Sequence, residues 1–221
     1  MCLIFVYAII AVTGIYFFAQ QLGVACKSVI FVVKYIMRCY VIMKIMVASD
    51  IHGSAYYCRK LVEAYKASGA QKLLLLGDIL YHGPRNDLPE EYDPKQVISM
   101  LNNISSEILC VRGNCDSEVD QMVLDFNIMA DYAILFDNRR MIFATHGHLY
   151  NKDNMPKLKD GDIFLCGHTH IPVCEAVGRI NFMNPGSVSI PKNDSWHGYI
   201  MIDNGRYTWY DFDGESHMVV E

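Results

Sequence analysis

The sequence predicts an α/β protein in which two β-sheets pack on each other and helices flank them. Beyond residue 43, the first half of the chain alternates helical patterns with short apolar runs that end in a carboxylate or in glycine and asparagine. The second half is dominated by strand patterns separated by turn signals. No internal repeat or low-complexity tract interrupts either half, so a single domain of this class is expected.

The first half contains three predicted strands with helices between them. The runs KIMVASD, LLLLGD and EILCVRGN are the strands, and the second is apolar enough to be buried on both faces of a sheet. Residues 54–68 are predicted to be helical and to end at Gly69, because glycine commonly follows the last turn of a helix. A second helix is predicted from Pro94 to about Asn103, after the polar loop HGPRNDLPEEYDP, and residues 117–124 are predicted to be helical as well.

The second half is predicted to be rich in strands. The runs AILFD and RRMIFATHG predict a pair of strands, and DIFLCGHTH predicts a third. RINFMNPGSV, GYIMID and YTWYDFD predict further strands, with turns at Asn184-Pro185-Gly186 and Asn204-Gly205. The order of elements therefore predicts an α/β first half followed by a β-rich second half.

The composition limits the size of the protein and the partners it can take. The chain has 221 residues, of which 52% are hydrophobic, enough for one domain with a sizeable core. Its formal net charge of -5 argues against broad capture of nucleic acid, which needs a basic face, but leaves a nucleotide or a short phosphodiester open. The cysteines form no CxxC pair, and Cys110 and Cys166 are predicted to be small buried side chains in a reducing compartment.

Residues 1–42 form a hydrophobic N-terminal extension, and the domain is predicted to cover residues 43–221. The first charged residue is Lys27, and the apolar run before it approaches the roughly 20 residues that span a bilayer. One interpretation is a membrane anchor that leaves the domain in the cytoplasm, because basic residues follow the run and none precedes it. A second is a cleaved signal, although such signals carry basic residues before the apolar stretch. A third places the extension outside the working protein, which then starts at Met43. We favour the third and expect a cytoplasmic protein that meets a membrane only if residues 1–42 are retained.

Five short motifs stand at the ends of the predicted strands. Ligand sites in open α/β sheets commonly lie beyond the carboxyl ends of the strands, so the motifs are expected to converge on one crevice. Residues two apart in an extended backbone point to the same side, which would let the first and the last motif each grip one ion. Each motif contains a glycine, which permits close approach of the backbone. The motifs are Asp50-x-His52-Gly53, Gly77-Asp78, Gly113-Asn114, His146-Gly147-His148 and Gly167-His168-Thr169-His170.

The side chains in these motifs are carboxylates, imidazoles and an amide, a mixture that suits Mn, Fe, Zn or Co. The two oxygens of Asp78 could bridge two ions. Two ions about 3.5–4 Å apart can clamp the attacking and leaving oxygens of a phosphoryl displacement and lower the pKa of a bound water. A lone DxH or GD motif is weak and a single histidine on a strand is usually structural, whereas the GHTH run is less common. The ordered set of five motifs is the specific signal, and it indicates a metal centre.

The ordered motifs SDIHG, LGD, RGNCD, THGH and GHTH resemble the signature of the calcineurin-like metallophosphoesterases. Details such as GNCD, LYHGPRN and NPGSVSIP resemble the YfcE-type bacterial phosphodiesterases, and the resemblance runs from about Met43 to the C-terminus. It implies a four-layer α/β/β/α sandwich with a dinuclear metal centre that hydrolyses phosphodiester bonds, with a bridging hydroxide as the nucleophile. Manganese is the expected metal, with Fe, Zn, Co or Ni as alternatives.

The resemblance also implies which residue binds which ion. The positions divide into two overlapping sets: Asp50, His52, Asp78 and His170 for one ion, and Asp78, Asn114, His146 and His168 for the other. No ligand position is missing, unlike in the retromer scaffold subunit, which resembles this fold but has lost part of its metal centre. The alternatives to a phosphodiesterase are a phosphomonoesterase or a nuclease of the same fold, and a catalytically silent protein-binding scaffold.

One position departs from the wider superfamily. Many members carry a histidine after the asparagine, as a proton donor to the leaving group or a stabiliser of transition-state charge, and this chain has Cys115. A thiol is a poor donor to an alkoxide, so we expect weak activity on alkyl monoesters and a preference for good leaving groups, as in aryl diesters. Asp116 is expected to orient a neighbouring group. His148 or, alternatively, His82 is expected to supply the missing proton.

Arg85, in the loop after Asp78, is the cation expected to hold a substrate phosphate, because guanidinium can bond two phosphate oxygens at once. A solvated loop arginine is the equal alternative. Asn184 is interpreted as a turn residue rather than a ligand. The expected partner is a small phosphodiester rather than extended nucleic acid, and exposed apolar residues in the C-terminal part would suit a homo-oligomer.

Overall fold

The computed structural model describes residues 43–138 and 140–221 of the chain. The predictions made for residues 1–42 fall outside these ranges. Among the residues described, no helix is both long enough and apolar enough to cross a membrane.

Two helices have polar caps that their own sequence supplies. Helix α1 (Ala55–Ser68) begins where the Ser54 hydroxyl accepts a hydrogen bond from a backbone N–H of the first turn. It ends at Gly69, whose φ of 72° lies in the left-handed region that suits a C-terminal cap. Helix α2 (Pro94–Asn102) begins at Asp93 in the same way, with proline in its first turn. Both predicted helices are confirmed.

The first sheet combines the strands of the α/β half with strands from the C-terminus. Its members are β1 (Ile45–Ala48), β2 (Lys72–Leu75), β3 (Ile108–Cys110), β9 (Gly198–Asp203), β10 (Arg206–Asp211) and β11 (Ser216–Val220). Their order across the sheet is β11-β10-β9-β1-β2-β3. Strands β1, β2 and β3 are parallel, and β9 runs antiparallel to β1. The carboxyl ends of β1, β2 and β3 therefore meet at one edge.

Along the sequence, the strands of the second sheet come after β3 and before β9. Its members are β4 (Tyr132–Asp137), β5 (Arg140–Thr145), β6 (Ile163–Leu165), β7 (Pro172–Val177) and β8 (Ile180–Pro185). Their order is β4-β5-β6-β8-β7, and β5, β6 and β8 are parallel. The sequence did not predict β7 or β11. Both are edge strands with largely exposed or half-buried residues, so they lack the apolar pattern of a buried strand.

Three apolar clusters define the layers. One packs α1 and α2 against the first sheet and includes Leu61 and Leu101. The second lies between the two sheets and includes the fully buried Trp209. The third covers the outer face of the second sheet, where Phe164 packs with Tyr150 from the segment between β5 and β6. The predicted α/β class with two packed sheets is confirmed, with helices over the first sheet and this segment over the second.

The third helix is shorter than predicted. Residues 117–124 were expected to be helical, and α3 covers only Glu118–Gln121. A capping box at Ser117 starts it, as its sequence allows. It ends early because the Gln121 side chain bonds backbone groups of residues 124, 126 and 128, which turns the chain away from the helix axis.

Candidate metal centre

The predicted ligand residues lie where strands of both sheets end. They follow five strands: Asp50 and His52 after β1, Asp78 after β2, Asn114 after β3, His146 after β5, and His168 and His170 after β6. In the first sheet β1, β2 and β3 are parallel, and in the second sheet β5 and β6 are parallel. Parallel strands bring their carboxyl ends to a common edge of the sheet. The structure gathers all of these side chains into one cluster, through contacts that join the two sheets.

The backbone at these positions is not extended. Asp50, His52, Asp78, His168 and His170 have φ values of 59°, 50°, 55°, 67° and 64°. These are left-handed conformations, which a residue other than glycine adopts at a cost of about 1–3 kcal/mol. The expectation that an extended backbone would send both side chains of a pair to the same side was therefore wrong. Tight turns after β1 and β6 aim the side chains instead, and backbone hydrogen bonds between the loops hold these turns.

The first ligand group consists of Asp50, His52 and His170, all of them buried. Oδ1 of Asp50 lies 3.6 Å from Nε2 of His52 and 3.3 Å from Nε2 of His170. The two Nε2 atoms are 3.2 Å apart. Ligand atoms at such separations surround a point about 2 Å from each, which is the usual bond length from a transition metal to nitrogen or oxygen.

The second ligand group is arranged around His146, which is fully buried. Its Nε2 lies 3.4 Å from Oδ2 of Asp78, 3.0 Å from Oδ1 of Asn114 and 3.2 Å from Nδ1 of His168. The same Asp78 oxygen is 3.7 Å from Nε2 of His52 in the first group. Asp78 thus stands between the two groups. Asn114 is exposed, so the second group opens to solvent.

Backbone carbonyls fix the tautomer of three of the histidines. Nδ1 of His52 lies 2.8 Å from the carbonyl oxygen of Tyr81, and Nδ1 of His170 lies 2.7 Å from that of residue 190. Nδ1 of His146 is likewise 2.7 Å from the carbonyl oxygen of residue 76. A carbonyl can only accept, so each Nδ1 carries the proton and donates it. In the neutral form of each ring the Nε2 lone pair then points into the cluster, which is the form that binds a metal ion.

Three buried atoms of the first group lack a partner in this tautomeric state. Oδ1 of Asp50 is buried and accepts no hydrogen bond in the described part of the chain. The Nε2 lone pairs of His52 and His170 face each other at 3.2 Å. A buried polar group without a partner costs about 1–3 kcal/mol. A divalent cation would take all three lone pairs at once, so these residues fit a metal ion.

The charges in the cluster also suit a cation. Burial raises the pKa of Asp50, but the neighbouring imidazoles of His170, His52 and His146 outweigh it and hold the pKa well below its usual value. Burial lowers the pKa of His146, but the carboxylates of Asp78 and Asp50 raise it to about 9. The carboxylates are therefore ionised and attract positive charge. Protons on the imidazoles can supply it, and a divalent ion would displace them.

Gly113 allows the loop after β3 to touch Asp78. A Cβ atom at this position would lie 2.0 Å from Oδ1 of Asp78 and 2.3 Å from its backbone nitrogen. Real Cβ atoms do not come so close to other atoms, so a larger residue would displace the carboxylate. The glycine in this motif is therefore required by its close approach to the Asp78 carboxylate.

Asp116 holds the same two loops together. Its buried carboxylate accepts hydrogen bonds from the backbone N–H groups of Gly113 at 2.7 Å, Asp78 at 2.8 Å and Ile79 at 2.9 Å. Burial raises its pKa, and these hydrogen bonds act in the opposite direction. The expected role of Asp116, to orient a neighbouring group, stays a prediction, and the neighbour that these bonds indicate is Asp78.

Cys115 lies beside Asp78 at the opening of the cluster. Its backbone N–H donates to Oδ1 of Asp78 at 2.8 Å, and its sulfur accepts a hydrogen bond from Nδ2 of Asn114 at 3.3 Å. Burial and the nearby charge of Asp78 raise the pKa of the thiol far above its usual value. The side chain is therefore a neutral thiol at neutral pH that holds its proton tightly.

His148 lies against the second ligand group. Its ring centroid is 5.4 Å from that of His146 and 6.4 Å from that of His168. Burial and the charge of these two imidazoles lower the pKa of His148 to about 4. It is neutral at pH 7, and it can donate a proton to a leaving group only after it has gained one.

The loop after β2 carries the other two predicted side chains. His82 packs edge-on against Tyr81 and Tyr92, with a buried Nδ1 that has no hydrogen-bond partner among the described residues. Arg85 is exposed, and it forms no ion pair within the described part of the chain. No contact joins either side chain to the ligand groups, so their expected roles stay predictions.

Three residues of the NPGSVS segment, residues 184–189, support the centre without having been predicted to do so. Ser187 and Ser189 donate from their hydroxyls to the backbone oxygen of Asp50 at 2.9 and 3.1 Å. Asn184 is fully buried, donates to the Gly167 carbonyl at 2.8 Å and accepts from the N–H of residue 186 at 2.8 Å. The last bond agrees with its interpretation as a turn residue. The signal that could have revealed these contacts is a run of small polar residues after a buried strand.

The fold and this cluster define a metal-dependent phosphoesterase. The chain belongs to the calcineurin-like phosphoesterase superfamily, because the description "Calcineurin-like phosphoesterase superfamily domain" matches its residues 43–205. The match covers well over half of the sequence and includes every proposed ligand. The class of enzyme predicted from the motifs is confirmed.

Individual proteins within this superfamily are also similar to the chain. The chain is 50% identical to Phosphodiesterase YfcE of Escherichia coli strain K12 over 162 residues, which cover 73% of this chain and 88% of that protein. The solved structure of YfcE, a phosphoesterase from E. coli, superposes with a TM-score of 0.78 at 46% identity and covers 80% of this chain and 98% of its own. Phosphodiesterase MJ0936 of Methanocaldococcus jannaschii is 27% identical over 65% of this chain and 83% of its own. The resemblance to YfcE-type proteins is confirmed.

Proposed function

We propose that this chain hydrolyses small phosphodiesters at a centre of two divalent metal ions, most readily manganese. The observation that carries the proposal is the position of Asp78. One of its oxygens is 3.4 Å from Nε2 of His146 and 3.7 Å from Nε2 of His52, so a single carboxylate serves both ligand groups. The similarity to proteins named phosphodiesterases supports the choice of diesters over monoesters.

The proposed ligands are those of the two groups: Asp50, His52, Asp78 and His170 for one ion, and Asp78, Asn114, His146 and His168 for the other. When bound, two ions would supply a hydroxide nucleophile near neutral pH and positive charge that stabilises the phosphoryl transition state. The protein's own contribution is to keep each lone pair aimed inward. Backbone carbonyls hold the histidines, and Asp116 holds the loop that carries Asp78.

The side chains at the opening favour substrates with a good leaving group. The pKa of the Cys115 thiol is raised, so the thiol holds its proton too tightly to give it to an alkoxide. The pKa of His148 is about 4, so at pH 7 this ring carries no proton to spare. An aryl oxide leaves with less help from an acid than an alkoxide does. Aryl phosphodiesters are therefore the proposed preferred class, and alkyl monoesters are expected to be poor substrates.

The proposal is tested by stripping the chain with a chelator and reloading it separately with Mn, Fe, Zn, Co and Ni. Elemental analysis gives the ions bound per chain. Turnover is measured on bis(4-nitrophenyl) phosphate, on 4-nitrophenyl phosphate and on cyclic nucleotides. We expect two ions per chain and the fastest turnover with manganese on the aryl diester.

An Asp78→Asn variant provides the decisive comparison, because it removes one negative charge from both ligand groups. It is expected to bind fewer ions and to lose turnover, whereas Asp87→Asn, at an exposed loop position, retains both. Two bound ions without turnover of any ester would favour a binding scaffold. Faster turnover of the monoester than of the diester would favour a phosphomonoesterase.

A further inference from the structure

A cavity of about 310 Å³ lies at the outer face of the second sheet, next to the metal centre. Its inner wall is apolar, with Cys166, Val173 and Phe182 contributing from three neighbouring strands or their ends. Cys166 is only 2% exposed, as predicted for a buried thiol, and Phe182 is 5% exposed. Both belong to the apolar cluster that covers this face. The cavity is large enough for an aromatic ring, and apolar walls of this kind bind apolar groups.

The cavity shares its wall with the loops that carry the metal ligands. Gly147, Gly167 and Thr169 line it, and each is adjacent in sequence to a proposed ligand histidine. At Gly147 a Cβ atom would lie 3.1 Å from Cβ of His168. The backbone of one ligand loop therefore packs directly on the other where the cavity begins. The cavity and the proposed ligand histidines therefore share the loops at residues 147 and 167–169.

Lys152 is the cation among the residues that line the cavity, and it forms an ion pair with Glu175. The ammonium also lies 4.8 Å from the centroid of the Phe182 ring. Lys152 thus connects the segment after β5 to the β7–β8 hairpin, and the carboxylate of Glu175 neutralises its charge. The carboxylate of Asp153 also lines the cavity and would repel an anion. An uncharged ring therefore suits this lining better than a second phosphate or a carboxylate does.

We propose that this cavity holds an uncharged aromatic ester group that stays on phosphorus during hydrolysis. The inference rests on the proposed phosphodiesterase function and adds the substrate class. In the reaction the bond from phosphorus to the leaving oxygen breaks and a bond to a water oxygen forms. The leaving group departs as the alcohol or phenol, and the aryl phosphate monoester with its ring in the cavity is the other product.

The test keeps the leaving group constant and changes only the retained group. Phenyl 4-nitrophenyl phosphate and methyl 4-nitrophenyl phosphate both release 4-nitrophenol, and their kcat/KM values are compared on the manganese-loaded chain. Burial of a phenyl ring predicts a preference for the phenyl ester of about 10- to 100-fold. A Val173→Trp variant, which fills the cavity, is expected to reduce this preference to about 2-fold or less, on the same scale of burial. Any loss of kcat/KM in this variant should fall more on the phenyl ester than on the methyl ester, because only the phenyl ring needs the filled space.

Two further variants complete the experiment. Ala176→Trp places the same bulk at an exposed position of β7 that does not line the cavity, and it should keep the phenyl preference. Val173→Ala widens the cavity without adding bulk, and it should lower the preference by a few-fold even if the tryptophan variant does not fold.

The outcomes separate this inference from the proposed function. Turnover of both esters with no phenyl preference in the unmodified chain would leave the phosphodiesterase proposal standing and overturn the cavity proposal. So would a preference that neither Val173 variant changes, or an equal loss on both esters in Val173→Trp. Absence of turnover on either ester with any metal would instead overturn the proposed function, and the cavity proposal with it.

Discussion

The carboxylate of Asp116 is bonded to the backbone of Asp78. One oxygen of Asp116 accepts the N–H of Asp78 at 2.8 Å, and the other accepts the N–H of the next residue at 2.9 Å. A third bond, from the N–H of Gly113 at 2.7 Å, joins the loop after β3 to the same carboxylate. One buried side chain, which is not among the proposed ligands, thus bonds to two loops that carry them.

The first prediction concerns Asp116→Asn. The amide keeps one acceptor oxygen but turns an NH₂ group toward a backbone N–H, so at least one of the hydrogen bonds is lost. Loss of a group that orients a ligand typically weakens metal affinity about 10- to 100-fold. Competition between the protein and a chromophoric chelator measures this affinity. Asp125→Asn, at an exposed position, is the control. Equal affinities in Asp116→Asn and the unmodified chain would show that Asp116 does not position Asp78.

The second prediction concerns Gly113→Ala. The new Cβ would stand 2.0 Å from Oδ1 of Asp78, so the carboxylate has to move. We expect the variant to bind fewer metal ions and to lose turnover. Gly161→Ala is the control, because its Cβ meets nothing within 4 Å, and its φ of 87° adds a backbone cost that Gly113→Ala does not carry. Full metal content in Gly113→Ala would contradict this prediction, because it would show that the loops after β2 and β3 can move apart without loss of metal binding.

The third prediction concerns the residue after Asn114. Cys115→His places an imidazole where the thiol now lies beside Asp78. Help from a general acid is typically worth about 10²- to 10⁴-fold, and it matters most for poor leaving groups. Turnover of alkyl esters and monoesters should therefore rise relative to that of aryl diesters. Cys115→Ser, which adds no useful acid, should leave the ratio unchanged. If the ratio is the same in all three proteins, this position does not set the preference.

The fourth prediction concerns stability. The Tyr207 hydroxyl, on a strand of the first sheet, donates to Oδ2 of Asp137, at the end of a strand of the second, at 2.7 Å. Tyr207→Phe removes this bond between the sheets. A hydrogen bond to a charged group contributes about 1.5–3 kcal/mol, so the free energy of unfolding should fall by that order. Urea denaturation at pH 7 measures it, and Tyr132→Phe, at an exposed position, should change little.

The same pair predicts how stability depends on pH. Burial and the charge of Asp137 raise the pKa of Tyr207 above its usual value of about 10. Above that pH the unfolded chain loses the tyrosine proton and the folded chain keeps it, so unfolding becomes easier. The difference in unfolding free energy between the unmodified chain and Tyr207→Phe should therefore be largest below pH 10 and shrink above it. A constant difference up to pH 11 would contradict this account.

The elements that the sequence predicted well are those with local signals. Helix α1 lies between Ser54 and Gly69 because a cap and a left-handed glycine act on their immediate neighbours. Helix α3 stopped short of its predicted end because the Gln121 side chain binds backbone groups farther along the chain. Strand β7 had no clear pattern, because it lies at the edge of its sheet and pairs on only one side.

At the candidate site, the sequence by itself determined which residue types are present and in what order they come. Motif order is a property of the chain, and it was enough to name the family and the candidate ligands. The tertiary structure alone decided how they are aimed. The protons on His52 and His146 are set by carbonyls 29 and 70 residues distant in either direction along the chain. Every residue has a backbone carbonyl, so the type of residue in the sequence does not reveal which carbonyl accepts the hydrogen bond.

The position of Asp78 between two ligand groups is likewise a result of packing. It depends on strands of two sheets that end together, and on left-handed turns that a motif does not reveal. The cavity beside His168 arises in the same way, where the segment after β5 lies across β6, β7 and β8. The local sequence therefore identified the residues that could bind metal. Contacts between distant segments determined the geometry of these residues and formed the cavity proposed for the substrate.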